Sequence, residues 1–329
     1  MLFSVIIPVY NRPNEVDELL RSLVGQHFKN FEVLVIDDGS HITCREIAES
    51  YSDKLSIRYF YKSNSGPGQT RNYGAEQSEG EYLIILDSDC ILPETYFDAV
   101  VKELDEVPAD AFGGPDRAHP SFTDLQKAIN YSMTSFFTTG GIRGGKKKMD
   151  KFYPRSFNMG IRRDVYEKLG GFSKMRFGED IDFSIRIFKS GYRCRLFPDA
   201  WVYHKRRTDW CKFYKQVYNS GIARINLYKK YPESLKLVHL LPAAFTAGVV
   251  VLLLSSVWCL WALLPLAVYA LLVGMDSSVR NKSLHIGLQS IAAAYIQLIG
   301  YGNGFFLAWW RRCVCKKGEF EAFKKNFYK

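Results

Sequence analysis

Several absences narrow this chain before any motif is read. No Gly-x-Gly-x-x-Gly follows the first apolar stretch, Ser4–Val9, which disfavours a dinucleotide site at that turn. None of the 7 cysteines stands in a Cys-x-x-Cys pair or at zinc spacing from a histidine, so they read as reduced, structural thiols. Met1–Ile7 is apolar but has no basic leader and no small-residue cleavage site, and it reads as a first strand rather than a signal peptide. On that reading the large domain stays on the cytoplasmic side. Charge is missing in two long blocks. Leu240 to Met275 has none, and Ser283 to Trp310 has none apart from a protonatable His285. A spanning helix needs about 20 such residues. The expectation is a soluble domain over 1–232 and a membrane region over 233–329.

What charge there is leans positive: Lys plus Arg number 44 against 34 Asp plus Glu, an excess of 10. Much of it lies at Lys146–Lys148, Lys205–Arg207, Arg311–Arg312 and Lys316–Lys317, near the apolar blocks or their approach. That placement favours anionic phospholipid or a lipid phosphate as partner over nucleic acid. The full 329 residues suffice for one large or two ordinary domains.

Strands and helices alternate through the first third. Ser4–Val9, Glu32–Ile36, Ile57–Tyr61 and Tyr82–Leu86 read as strands. Between them, Val16, Leu19, Leu20 and Leu23 share one helix face, with Asn14 a candidate cap, and Arg71, Asn72 and Ala75 fall on another helix. Such alternation predicts a mostly parallel α/β sheet. Further helices are expected over Pro93–Glu106, Leu125–Phe137, Arg162–Leu169 and from Glu179, the last burying Ile181, Ile185, Ile187 and Phe188. Gly140–Lys148 is a glycine- and lysine-rich loop, suited to a phosphate or else a solvated linker.

Polar groups gather at successive strand ends: Tyr10, then Asp37-Asp38, then Asp87-Ser88-Asp89. In a parallel sheet the ligand crevice lies outside the carboxyl ends of the strands, so a shared ligand explains the repetition. Asp-x-Asp after a buried strand suits a hard divalent cation such as Mg²⁺ or Mn²⁺ with room for a diphosphate; it is also an ordinary acidic turn. Glu179-Asp180 has two readings as well. Acids at a helix start complement its dipole, and a carboxylate there can serve as a base.

Six pieces in order resemble family 2 glycosyltransferases of the GT-A fold. They are Ser4–Asn11, Val35–Ser40, Gly68–Gly74, Leu86–Asp89, Asn158-Met159-Gly160 and Gly178–Asp182, within about two thirds of the chain. The resemblance implies a Rossmann-like mixed sheet and inverting transfer of one sugar from a nucleotide-sugar donor to a saccharide or polyprenyl-linked acceptor. It places Pro8, Tyr10 and Asp38 at the base, Arg71 near base and ribose, Asp87 by ribose and metal, and Asp89 on the cation with His204. It makes Asp180 the acceptor base, with Glu179 and Asn158 in the acceptor or sugar pocket. The Gln-x-x-Arg-Trp signature of processive synthases is absent, since Arg206-Arg207-Thr208-Asp209-Trp210 does not match it. Gly160 stands where relatives often have alanine, a change that would bear on the acceptor pocket. Competing readings are an inactive nucleotide-sugar-binding membrane protein, a processive polysaccharide synthase, and a nucleotidyltransferase. The last usually needs a basic glycine-rich loop after the first strand, which Tyr10–Glu15 is not.

As one helix, Leu240–Met275 would be about 54 Å long against a hydrocarbon core of about 30 Å. A hairpin of two short spans turning near Ser255–Trp261 fits better. Ser283–Trp310 is then a third span or an interfacial helix with Trp309 and Trp310 at headgroup level. Basic flanks favour a cytoplasmic tail in a multi-pass inner-membrane protein.

Overall fold

The computed structural model describes residues 2–139, 152–175 and 177–319. The expected Gly140–Lys148 loop and the end of the basic tail lie outside these. The described residues divide into two units. The first holds residues up to His119 together with 152–204, and the second holds 120–139 and everything from Lys205.

In chain order the first unit contributes β1 (Phe3–Val9), α1 (Pro13–Val24), β2 (Phe31–Asp37), α2 (Arg45–Glu49), β3 (Ser56–Tyr61) and α3 (Pro67–Gln77). There follow β4 (Tyr82–Leu86), β5 (Cys90–Ile91), α4 (Tyr96–Glu106), β6 (Ala111–Gly113) and β7 (Asp116–Arg117). The second unit contributes α5 (Asp124–Thr134) and α6 (Phe136–Thr139) before the chain returns to the first with β8 (Asn158–Arg162), α7 (Arg163–Leu169), α8 (Glu179–Lys189), β9 (Cys194–Leu196) and β10 (Val202–His204). The second unit then takes α9 (Trp210–Lys230), α10 (Leu241–Ser255), α11 (Leu264–Asn281) and α12 (Leu284–Trp309).

The main sheet runs β3-β2-β1-β4-β8-β6-β9, with β8 antiparallel to both neighbours and the other pairs parallel. Strand order reverses at β1, which lies between β2 and β4. Side chains of β1, β2 and β4 are buried on both faces, which accounts for their unbroken apolar runs. Val16, Leu19, Leu20 and Leu23 of α1 pack into one core layer; Ile6, Leu34, Ile36, Leu83 and Ile85 belong to the other with Phe172 and Phe183. A second small sheet, β5-β10-β7, sets His204 opposite Cys90.

Local readings differ in detail. Asn14 does not cap α1: the helix starts at Pro13, whose fixed φ suits the first helical position. Asn158-Met159-Gly160 is a strand. Gly160 lies in it beside β6, where an added Cβ would strike the Phe112 ring, so the residue answers to core packing and not to an acceptor pocket. On α8, Ile181 and Phe188 are only half-buried, and the place at the centre of that face goes to Phe183.

In the second unit α12 packs against α5, α9, α10 and α11. Small residues permit the approach: a Cβ at Gly304 would meet the Tyr218 carbonyl of α9, and one at Gly302 would meet Thr246 of α10. α5 and α9 both join this bundle, so the second compact unit takes in 120–139 and resumes at Lys205. The break between α10 and the next helical turn spans Ser256–Cys259, inside the expected turn. Leu260–Asn281 and Leu284–Val314 are long and apolar enough to cross a membrane by length and composition. α10, with 15 residues, is about 22 Å long and shorter than a hydrocarbon core.

Candidate functional site

The carboxyl ends of β1, β2 and β4 converge where the strand order reverses, as expected for an open α/β sheet. Not every polar group there faces a ligand. Asp37 is fully buried, accepting from the Ser40 N–H at 2.8 Å and from the Tyr59 hydroxyl at 2.8 Å. Asp38, 1% exposed, fastens the loop after β3: Lys62 Nζ and the Ser65 and Gly66 N–H groups all donate to its carboxylate at 2.8–2.9 Å. Pro8, paired with Ile36 in the sheet, and Tyr10 are half-buried at the mouth of the same crevice.

Beyond β4 the chain presents Asp87 and Asp89. Arg71 of α3 is 3% exposed and bridges two acids, donating from Nη2 to Asp87 Oδ1 at 2.8 Å and from Nη1 to Glu179 Oε1 at 3.0 Å. It therefore stands between the strand end and the start of α8. Its guanidinium lies 5.2 Å from the centroid of the Phe172 ring, which adds a cation–π contact.

Asp89 is held by Arg12, and its Oδ1 lies 3.1 Å from His204 Nε2. His204 stacks on Phe157 at 4.8 Å, and its Nδ1 is buried without a hydrogen-bond partner. Ligand atoms of Asp89, Cys90 and His204 lie within 4.8 Å of one another. An oxygen and an imidazole nitrogen brought together, with the second ring nitrogen unspent, fit a divalent cation. The Cys90 thiol is a weaker candidate: burial first, then the charges of Asp89 and Asp87, push it well above its usual value.

Glu179 and Asp180 open α8, behind Gly178, whose φ of 85° is the left-handed conformation glycine tolerates. Asp180 Oδ1 accepts from the Ile181 N–H at 2.8 Å, and Oδ2 accepts from Arg155 at 3.0 Å. The two acids part in character. Burial and the neighbouring Asp180 charge push Glu179 up to about 7 against the pull of Arg71. Burial acts the same way on Asp180, but Arg155, the Ile181 N–H and Arg71 outweigh it and hold the carboxyl below its ordinary value.

The side chain of Asn158 is engaged within the protein. It is 1% exposed, donates to the Ala200 carbonyl at 2.8 Å and accepts from the Tyr96 hydroxyl at 2.7 Å, tying β8 to its neighbours. Reading the sequence missed Arg12, Lys62, Cys90 and Arg155. Only Cys90 had a local signal, its position directly after the Asp-x-Asp. The arginines come from loops whose course no spacing rule predicts.

A mixed sheet with acids at the switch point and a helix-borne acid pair beside them defines a GT-A type of glycosyltransferase scaffold. The profile of Glycosyl transferase family 2 matches residues 4–170, just over half of the chain, and the chain belongs to that family. The glycosyltransferase AglE of Haloferax volcanii is 28% identical over 251 residues, covering 74% of this chain and 80% of that protein. An uncharacterized glycosyltransferase of Rickettsia felis is 42% identical over 103 residues; these are 31% of this chain and only 17% of that protein. Among solved structures, the mannosyltransferase PcManGT from Pyrobaculum calidifontis, in complex with GDP-Man and Mn²⁺, superposes with a TM-score of 0.62. It shares 20% identity over 90% of this chain and 86% of its own, an identity that speaks for the fold alone.

Proposed function

We propose that this chain is an inverting, metal-dependent glycosyltransferase that moves one sugar per encounter from a nucleotide-sugar donor to a hydroxyl of a saccharide or polyprenyl-linked acceptor, in the building of cell-surface glycans. The observation that carries this reading is the chain of charged contacts from Asp87 through Arg71 to Glu179 and its neighbour Asp180, which couples the Asp-x-Asp strand end to a carboxylate at a helix start. GDP-Man and Mn²⁺ in the Pyrobaculum neighbour are in keeping with such a donor and ion.

In this reading the nucleotide lies over the ends of β1 and β2, beside Pro8, Tyr10 and the loop that Asp38 anchors. Asp89 and His204 would hold Mg²⁺ or Mn²⁺, whose charge offsets that gathering on the leaving diphosphate. Asp180 takes the proton of the acceptor hydroxyl as its oxygen attacks the anomeric carbon from the face opposite the diphosphate. The bond from that carbon to the diphosphate oxygen breaks with its electron pair, and the nucleoside diphosphate departs. Arg71 keeps Asp87 and Glu179 in place throughout. The apolar α11 and α12 anchor the enzyme in the inner membrane, with the first unit on the cytoplasmic face, where a lipid-borne acceptor can reach it.

Asp180→Asn tests the reading. It preserves shape and the Ile181 contact but removes the proton acceptor, and turnover should fall by about 10²–10⁴, or roughly 3–5 kcal/mol of barrier. The assay is release of nucleoside diphosphate from a panel of nucleotide sugars, with calorimetric nucleotide affinity beside it. Turnover equal to wild type at unchanged affinity removes Asp180 as the base. A wild type that binds nucleotide sugars but transfers none marks a binding protein instead.

A further inference from the structure

Three carboxylates meet at the start of α8, and two guanidiniums face them. Arg71 serves Asp87 and Glu179, while Arg155 serves Asp180 at 3.0 Å. Farther along the helix Asp182 pairs with Arg186 at 3.1 Å, and Arg186 also donates to the Leu169 and Gly171 carbonyls. Glu179 and Asp180 are chain neighbours, and Arg71 is divided between Glu179 and Asp87, so a repulsion between the two ionised acids is only partly offset. Glu179 and Asp180 have side chains only 12% and 17% exposed, so water does little to relieve it. Adjacent carboxyls in such surroundings titrate as a pair and hold one proton more readily than a free acid would. Which of the two holds it decides which can act as a base.

Geometry breaks the tie. Arg71 divides its donors between two acids, whereas the Arg155 contact is directed at Asp180. Asp180 also has Oδ1 fixed by the Ile181 N–H, while Arg155 holds Oδ2, so the carboxylate is oriented from both sides. We propose that Arg155 is a positioning residue that assigns the shared proton to Glu179 and so leaves Asp180 ionised and oriented as the base. The proposal rests on the reading of Asp180 as the acceptor base. Arg155 belongs to the stretch Phe152–Phe157 ahead of β8, and its side chain is 33% exposed.

Loss of Arg155 should therefore not merely slow the enzyme. Glu179 keeps Arg71, Asp180 loses its own cation, and the proton passes to Asp180. Activity would then require a pH high enough to ionise the whole pair.

The test uses the full chain in detergent, with kcat and KM measured from pH 5 to 9 on the nucleotide sugar that wild type turns over. Wild type, Arg155→Lys, Arg155→Gln and Asp180→Asn are compared, with Arg155→Met as a second removal should the glutamine variant fold poorly. The acidic limb of the kcat profile should move toward neutral pH in Arg155→Gln. At pH 6 that variant should fall at least about tenfold further below wild type than at pH 8, the effect of one unit on a titration limb. Arg155→Lys, which keeps the charge, should keep the wild-type limb. Affinity for UDP and GDP by calorimetry should not change. A uniform loss at every pH, with the limb where wild type has it, overturns the proposal and leaves Arg155 a structural residue. If Asp180→Asn is inactive and the limb of Arg155→Gln is unmoved, the inference fails alone. If Asp180→Asn keeps wild-type turnover, the base assignment fails and the inference falls with it.

Discussion

Arg71→Met offers the sharpest stability test of the charged site. Methionine keeps the length and much of the apolar contact with Phe172, so the loss is mainly of charge and donors. Removing one partner of a buried ion pair costs about 3–5 kcal/mol, because the other charge stays buried and uncompensated. The two acids respond differently. Asp87, with a side chain 30% exposed, recovers water; Glu179, at 12%, does not, and can escape only by taking a proton. Even with Arg71 present, burial and the Asp180 charge push Glu179 up to about 7, and without Arg71 it is pushed higher. Below about pH 7 both proteins hold Glu179 neutral, and the variant pays mainly for the Asp87 contact. Above it wild type ionises Glu179 against Arg71 while the variant cannot, so the gap between them widens as pH rises. A cost of about 3 kcal/mol at pH 8 corresponds to a Tm roughly 6–12 °C lower for a unit of this size, with a smaller drop at pH 5.5. Thermal melts of the detergent-solubilised chain at both pH values measure this. A drop of the same size at both, or a Tm at pH 8 within about 2 °C of wild type, would refute the bridging role of Arg71.

Asp89→Ala should reduce Mn²⁺ affinity measured by calorimetry and abolish transfer while leaving Tm close to wild type; full activity of that variant, or of wild type in excess chelator, sinks the metal assignment. Gly160→Ala should destabilise by about 1–3 kcal/mol through overpacking against Phe112, which is itself stacked on Phe197 at 4.3 Å, with little change in KM for the acceptor. A raised KM at wild-type stability would return Gly160 to the acceptor pocket.

β1, β2 and β4 were legible because they are buried on both faces and so read as unbroken apolar runs, and α1 because its amphipathic spacing is regular. Less visible was the assignment of helices to units. Asp124–Thr134 lies more than a hundred residues from α12, and no local pattern says that the two pack together. Asp38 and Asn158 show a related limit. A motif tells where a polar residue sits along the chain, but not whether its polar atoms face a ligand or are spent inside the protein. In both residues they are spent: Asp38 on the loop after β3, and Asn158 on Tyr96 and Ala200.

The acids gathered here and Arg71 stood out in the sequence, but Arg12 and Arg155 did not, for a physical reason. An acid that must meet a metal or take a proton has to stand at a fixed place relative to a strand or helix end, so its spacing in sequence is constrained. A guanidinium on a long side chain can reach the same acid from many backbone positions, and here Arg12 and Arg155 do so from loops while Arg71 does so from a helix. Yet the cations decide what the acids can do. Glu179 and Asp180 are neighbours at the same helix end, equally suited to base chemistry by sequence. Their difference lies in whether the guanidinium they face is shared with a third acid.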